Sequence, residues 1–345
     1  MSEELADVGA EIREGSSTIL AYGEAYSLRH GDVEAEIVSI GASLRRLRVR
    51  GRDLVVPFGA DETRPAYRGA LLAPWPNRIV KGVYRYGDRE YRVPINEPSR
   101  GHALHGLLAW HRFLPVEGAA ASAPSRTLSD TELTLEAVID PSDGYPWRVR
   151  VRSTFTLDEA GLTQRVTAIN ESDTEAPWGT GPHPYLRAPS GTLDSWTLEL
   201  PAASVLEVSE PGLAPLSVAP VDAVDASRFD FRTPRQIGAA QIDHAFTDLV
   251  WDSEDLATVA LTDQNGDGVE MTWGPGCPWV QIHTADLSVP ECTRIGLAVE
   301  PMTCSPDAFN DHDYGFETGL VRLAPGGAHQ VSWRIRARSS GNSNE

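Results

Sequence analysis

The feature that most constrains this chain is a strict two-residue alternation. Trp147, Val149, Val151, Phe155 and Leu157 occupy one phase, and Arg148, Arg150, Arg152, Thr154 and Thr156 the other, a spacing that suits an extended strand with one buried face. Upstream, Leu133, Leu135, Ala137 and Ile139 alternate in the same manner; downstream, the turn Asp158-Glu159-Ala160-Gly161 leads into a run from Leu162 to Asn170. Successive strands are therefore expected to fold back antiparallel. Near the C-terminus, after Gly326-Gly327, Val331, Trp333, Ile335 and Ala337 alternate with Ser332, Arg334, Arg336 and Arg338. Apolar residues seldom recur at spacings of three and four without an intervening Gly or Pro, so no amphipathic helix longer than about three turns is expected. The pattern predicts an all-β protein.

With 345 residues, 41% of them hydrophobic, and 25 Pro and 30 Gly spread along the chain, there is material for a sizeable core divided by many turns. Large β-sandwiches run to roughly 200–250 residues or more as one unit, and a single domain over residues 17–338 is expected. The polar segments 1–16 and 339–345 should be mobile, and Ala119 to Ser129 reads as an Ala/Ser-rich loop. The Pro-rich stretch Pro201 to Val224 is expected to be a long crossing loop between sheets.

Charge narrows the partners. Thirty Lys and Arg against 49 Asp and Glu give a formal net charge of −19, a field that repels phosphate backbones and anionic headgroups. Nucleic acid and membrane partners are therefore not expected, whereas neutral small molecules carry no penalty. The start of the chain lacks the basic and apolar regions of a leader, and nowhere do about 18 uninterrupted apolar residues occur; a cytoplasmic location is the expectation. Cys277, Cys292 and Cys304 have no metal or redox spacing, so neither disulfides nor a thiolate zinc site is signalled. The run Asp263-Gln264-Asn265-Gly266-Asp267-Gly268 matches half of a calcium loop, but its twelfth position is Gly274 rather than Glu, and an Asn-Gly hairpin turn explains it more simply.

The candidates for chemistry are histidines in Gly/Pro-rich loops and one carboxylate. His102 and His105 lie in Gly101-His102-Ala103-Leu104-His105-Gly106, and His183 in Trp178-Gly179-Thr180-Gly181-Pro182-His183-Pro184-Tyr185. Imidazole exchanges protons near neutral pH, and loops at strand ends are where sites on β scaffolds lie; backbone-bonded loop histidines are the alternative. Glu300 ends the apolar run Ile295-Gly296-Leu297-Ala298-Val299, which places a carboxylate at a buried strand end and calls for a catalytic role or a structural ion pair.

Several separated segments, taken in order, resemble the aldose 1-epimerase (galactose mutarotase) family. Asn77-Arg78-Ile79 is similar to that family's Asn-Arg substrate-binding turn, Leu104-His105-Gly106 to its Leu-His-Gly motif, and His183-Pro184-Tyr185 to its His-x-Tyr catalytic loop. Asp243 in Ile242-Asp243-His244 resembles its sugar-binding aspartate. Gln281 within Trp279 to Thr284, and the run Glu300 to Asn310 containing Pro306-Asp307-Ala308, complete the set. The chain departs from the pattern at Ala73-Pro74-Trp75, at Leu186 after the His-x-Tyr triplet, and in the interval from Glu300 to Pro306.

The resemblance implies a galactose-mutarotase-like β-supersandwich of large antiparallel sheets and an enzyme that interconverts the anomers of a free aldohexose. It implies Glu300 as general base and a protonated His183 as general acid, with Asn77, Arg78, His105, Tyr185, Asp243 and Gln281 binding the sugar and no metal or other cofactor. A monomer or homodimer is expected. Trp75 or Trp178 is expected to stack on the sugar ring. The rival readings are a hexose-6-phosphate 1-epimerase using Arg148, Arg150 and Arg152 as a phosphate pocket, a non-catalytic carbohydrate-binding protein and, more remotely, a glycoside hydrolase or lyase using Asp243 and Glu300.

Overall fold

The computed structural model describes residues 21–59, 62–116 and 130–340; segment 1–16, the whole of the loop expected at 119–129 and the end of the tail lie outside them. Three sheets carry the structure. A nine-stranded sheet runs in the order Leu114–Pro115, Glu132–Ile139, Val149–Asp158, Gly161–Asn170, Ala328–Arg338, Gly268–Trp273, Ala257–Thr262, Thr197–Glu199 and Arg235–Gln236. A six-stranded sheet runs Tyr185–Leu186, Leu297–Met302, Trp279–His283, Asp243–Leu249, Ala202–Val208 and Pro215–Pro220. The third has four strands, Ala25–His30, Val33–Val38, Ser43–Val49 and Arg52–Asp53. Every strand pair within these sheets is antiparallel.

The alternation read from the sequence sets the nine-stranded sheet. Val149, Val151, Phe155 and Leu157 are buried, and Arg150 and Arg152 lie on the outer face. There Arg148 pairs with Asp140 and Glu171, Arg150 with Glu136 and Glu171, and Arg152 with Glu136. These arginines form a cross-strand ion-pair ladder and do not line the cleft described below, so the phosphate pocket imagined for them is not formed. One contiguous apolar core joins all three sheets, from Leu28 and Ile37 through Val151 and Phe155 to Phe246, Val280 and Val299.

The 201–224 segment departs from expectation. It is not a crossing loop: Ala202–Val208 and Pro215–Pro220 form a hairpin at the edge of the six-stranded sheet, followed by the α-helix Val221–Phe229. Pro215 and Pro220 sit at the ends of the outermost strand, where a missing N–H costs no ladder bond. The 263–268 turn joins two strands as a hairpin, and Asp263 Oδ1 accepts from the N–H groups of Asn265 at 2.8 Å and Asp267 at 3.3 Å. That carboxylate oxygen serves the turn itself. The tail is described as far as Ser340, whose N–H donates to Asp267 Oδ1. Among the described residues no helix is long and apolar enough to cross a membrane.

Candidate active site

The six-stranded sheet aligns the site by register. Asp243 pairs with His283, and His283 with Ala298, which pairs in turn with Tyr185; one row along, Ala245 pairs with Gln281, and Gln281 with Glu300. Side chains two apart share a face, so Asp243, His283, Gln281, Glu300 and Tyr185 project on the same side. The opposite phase, Phe246, Val280, Ile282, Leu297 and Val299, joins the core. Beyond Tyr185 the chain continues back to His183, whose Nε2 lies 3.4 Å from Glu300 Oε1. The His183 loop is fixed from both sides: its N–H donates to Ala70 O at 3.0 Å, and its carbonyl accepts from Gly69 N–H at 2.7 Å.

The opposite wall comes from two loops. Arg78–Ile79 pairs with Ala103–Leu104, and the His105 N–H donates to Asn77 O at 2.7 Å. Asn77 (φ 53°) and His105 (φ 64°) both occupy the left-handed region, a conformation non-glycine residues hold only when the surroundings dictate it. Here the surroundings are tight: Gly106 (φ 71°) packs so closely on Ala73 that a Cβ would come within 2.1 Å of the Ala73 carbonyl oxygen. Asn77, Arg78 and His105 thus meet Glu300, His183, Asp243 and Gln281 across a cleft of about 410 Å³, a size suited to a small ligand. All eight residues that the family resemblance assigns to the site line it, and His102 does not.

Within the cleft the polar groups are partly paired. Arg78 Nε donates to Glu97 Oε2 at 2.8 Å and Nη2 to Glu97 Oε1 at 2.9 Å, and Nη2 lies 3.9 Å from Asp243 Oδ2. Gln281 Nε2 donates to Asp243 Oδ1 at 2.7 Å, and His283 Nδ1 is 3.8 Å from the same oxygen. Five buried atoms of these cleft residues have no hydrogen-bond partner among the described residues: His105 Nδ1, His183 Nδ1, Gln281 Oε1, His283 Nδ1 and Glu300 Oε2. Buried polar atoms are ordinarily satisfied, so their gathering in one cleft marks it as a candidate site for a polar ligand.

The aromatic wall differs from expectation. Trp75 is buried edge-on against Phe309, ring centroids 5.8 Å apart, and Trp178 is fully buried; neither lines the cleft. Tyr67 and Tyr185 do, with rings inclined 23° to that of His183 at 6.3 and 5.3 Å. Tyr67, Glu97 and His283 were not selected from the sequence. Alternation would have found His283, which shares a face with Gln281; Tyr67 and Glu97 sit in irregular segments that carry no periodic signal.

Electrostatics sets the resting protonation. Burial, reinforced by Asp243 and opposed by Arg78, pushes the Glu300 carboxyl well above the usual glutamate range. Burial, with His283 nearby, pushes His183 down to about 3, and burial likewise depresses His105. Asp243 is held below the usual carboxylate range: burial acts against this, but His283 and Arg78 outweigh it. Both shifts run against the resting imidazolium expected at His183 and against an ionised Glu300, because in an enclosed site desolvation penalises both charges. At 3.4 Å the two groups titrate as a coupled pair.

An all-β scaffold that brings a buried carboxyl–imidazole pair into a cleft lined with unsatisfied polar groups defines a candidate acid/base site. The comparisons give that class a family. The aldose 1-epimerase family profile matches residues 24–336, and the chain belongs to this family. It is 35% identical to the uncharacterized protein YihR of Escherichia coli K12 over 314 residues, covering 91% of this chain and 93% of that one. It is 27% identical to mouse galactose mutarotase over 243 residues, 67% of this chain and 66% of the mouse protein. The fold matches galactose 1-epimerase from Lactobacillus acidophilus (TM-score 0.72, 17% identity, 91% and 94% of the two chains) and an aldose epimerase homologue from Caenorhabditis elegans (TM-score 0.74, 18% identity, 90% and 98%).

Proposed function

We propose that this protein interconverts the α and β anomers of a free aldohexose, with Glu300 and His183 as the catalytic pair. The observation that carries the reading is the 3.4 Å approach of His183 Nε2 to Glu300 Oε1 in a cleft where five buried polar atoms lack hydrogen-bond partners among the described residues. Opening the ring requires that the O1 hydroxyl lose a proton while the ring oxygen O5 gains one. The C1–O5 bond breaks, O1 becomes the aldehyde oxygen, and a turn about the C1–C2 bond presents the other carbonyl face. Closure reverses both transfers, so no atom or electron is gained or lost.

Glu300 takes the O1 proton and His183 supplies one to O5. The neutral resting pair reaches this state when its one proton moves from Glu300 to His183, a transfer that sugar hydroxyls donating to the carboxylate favour. Ring opening then returns the pair to its neutral form, the state that burial favours. Arg78, Asn77, His105, Asp243 and Gln281 hold the sugar hydroxyls by directional hydrogen bonds, and Tyr185 and Tyr67 cover the ring. Galactose in the names of relatives makes it the first sugar to test, with glucose beside it.

Optical rotation after dissolving α-D-galactose or α-D-glucose tests the reading. Wild type accelerates the drift toward equilibrium, whereas Glu300→Gln and His183→Asn each lose about 10²–10⁴-fold in kcat while still binding sugar. A folded Glu300→Gln protein with near-normal turnover would remove the proposed base. No acceleration by wild type with either sugar would leave a binding protein of the same fold.

A further inference from the structure

The mechanism uses Arg78 as a sugar ligand but leaves open what holds its guanidinium in place. The segment from Glu97 to His102 supplies the answer. Glu97 is almost fully buried and accepts three charge-assisted hydrogen bonds, two from Arg78 and one from Arg100 Nη1 at 2.8 Å. The grip on Nε and one face of Nη2 leaves the other Arg78 donors oriented: Nη1 lies 3.3 Å from Asn77 Oδ1, and Nη2 faces Asp243 at 3.9 Å. From Glu97 the connection runs to the rim. Arg100 Nε donates to Pro211 O at 3.3 Å, and His102, which accepts the Lys81 N–H at Nδ1, donates from Nε2 to Gly212 O at 2.9 Å.

We infer that Glu97 is the positioning residue of this cleft: its bidentate hold on Arg78 fixes which N–H groups meet the sugar, and through Arg100 it ties that arginine to the 210–213 rim. Without it, Arg78 has two buried donors unsatisfied and a carboxylate, Asp243, within reach; the guanidinium turns onto Asp243 and takes it away from the sugar. Glu97 also balances charge. Glu300 is surrounded by Arg78, Asp243, His183 and Tyr185, with His105 and His283 in the same cleft. Removing the negative charge behind Arg78 leaves that cation uncompensated, which favours ionised Glu300 and moves loss of the shared proton to lower pH.

The inference rests on the anomer-exchange reading for its kinetic arm and on sugar binding alone for the other. Glu97→Gln and Glu97→Asp are compared with wild type by optical rotation and by calorimetric titration with D-galactose and D-glucose. Glu97→Gln raises KM and Kd about ten- to a hundred-fold and shifts the basic limb of kcat/KM to lower pH. Glu97→Asp keeps the charge but falls one methylene short of a bidentate grip, so it raises KM and Kd while leaving the basic limb in place, a separation that general loosening of the fold would not produce. Wild-type constants and pH profile in Glu97→Gln would overturn the inference; should that variant fail to fold, an unchanged Kd in Glu97→Asp would do so. A wild type that binds sugar without speeding its mutarotation defeats the anomer-exchange reading alone, and the Kd comparison still decides on Glu97. A wild type that binds neither sugar overturns both.

Discussion

Glu300 sits where a carboxyl is costly. Burial pushes its ionisation well above the ordinary value of 4.5, so over the pH range just above that value the folded protein keeps a proton that the unfolded chain releases. A group with a raised folded pKa contributes stability below its unfolded value and loses it as pH rises toward the folded one. Glutamine has no such ionisation. Glu300→Gln is therefore expected to melt at a higher temperature than wild type at pH 8, with the gap closing below pH 4.5, a trade of stability for activity; differential scanning calorimetry across that range checks it, and a less stable variant at pH 8 would contradict it. The same proton sets the rate profile. With His183 depressed to about 3 and Glu300 raised, the pair holds one proton between those two ionisations. The profile of kcat/KM should show no inflection near 6.5, the ordinary histidine value, and should fall on the basic side as Glu300 ionises. An inflection near 6.5 that disappears in His183→Asn would contradict this assignment.

At the scale of elements, legibility followed exposure. Strands with one solvated face wrote their alternation into the sequence: Glu132–Ile139, Val149–Asp158 and Ala328–Arg338 were readable because arginine, threonine and glutamate mark the outer phase. Strands covered on both faces lose that contrast. Leu297–Met302 and Gly268–Trp273 are buried at every position, and only Glu300 betrayed the cleft side of the first. The hairpin at 202–220 was masked by prolines, which an edge strand tolerates and a local reading takes for loop. The walls of the cleft rest on irregular turns, and their close approach at Gly106 is testable. Gly106→Ala brings a methyl against the Ala73 carbonyl in a left-handed backbone, adding strain of order 1–3 kcal/mol. It should lower the melting temperature and weaken sugar binding together, since His105 precedes it and Asn77 is bonded to His105; a melting temperature and affinity equal to wild type would show that this turn does not position the wall.

Over the whole molecule, pairing joins segments far apart in the chain. Gly161–Asn170 lies beside Ala328–Arg338, and Tyr185–Leu186 beside Leu297–Met302; no local periodicity encodes such neighbours, and the sheet order was foreseeable only through family resemblance. The same holds for the site, whose residues from 67 to 300 converge only once the three sheets close on one core. On that convergence depends the proposed exchange of anomers by the Glu300–His183 pair. Magnetisation-exchange NMR on D-galactose at anomeric equilibrium reads it directly: saturating the α H1 resonance should attenuate the β H1 signal when wild-type protein is added, and leave it unchanged with Glu300→Gln. Transfer of equal size with both proteins, or with neither, would contradict it.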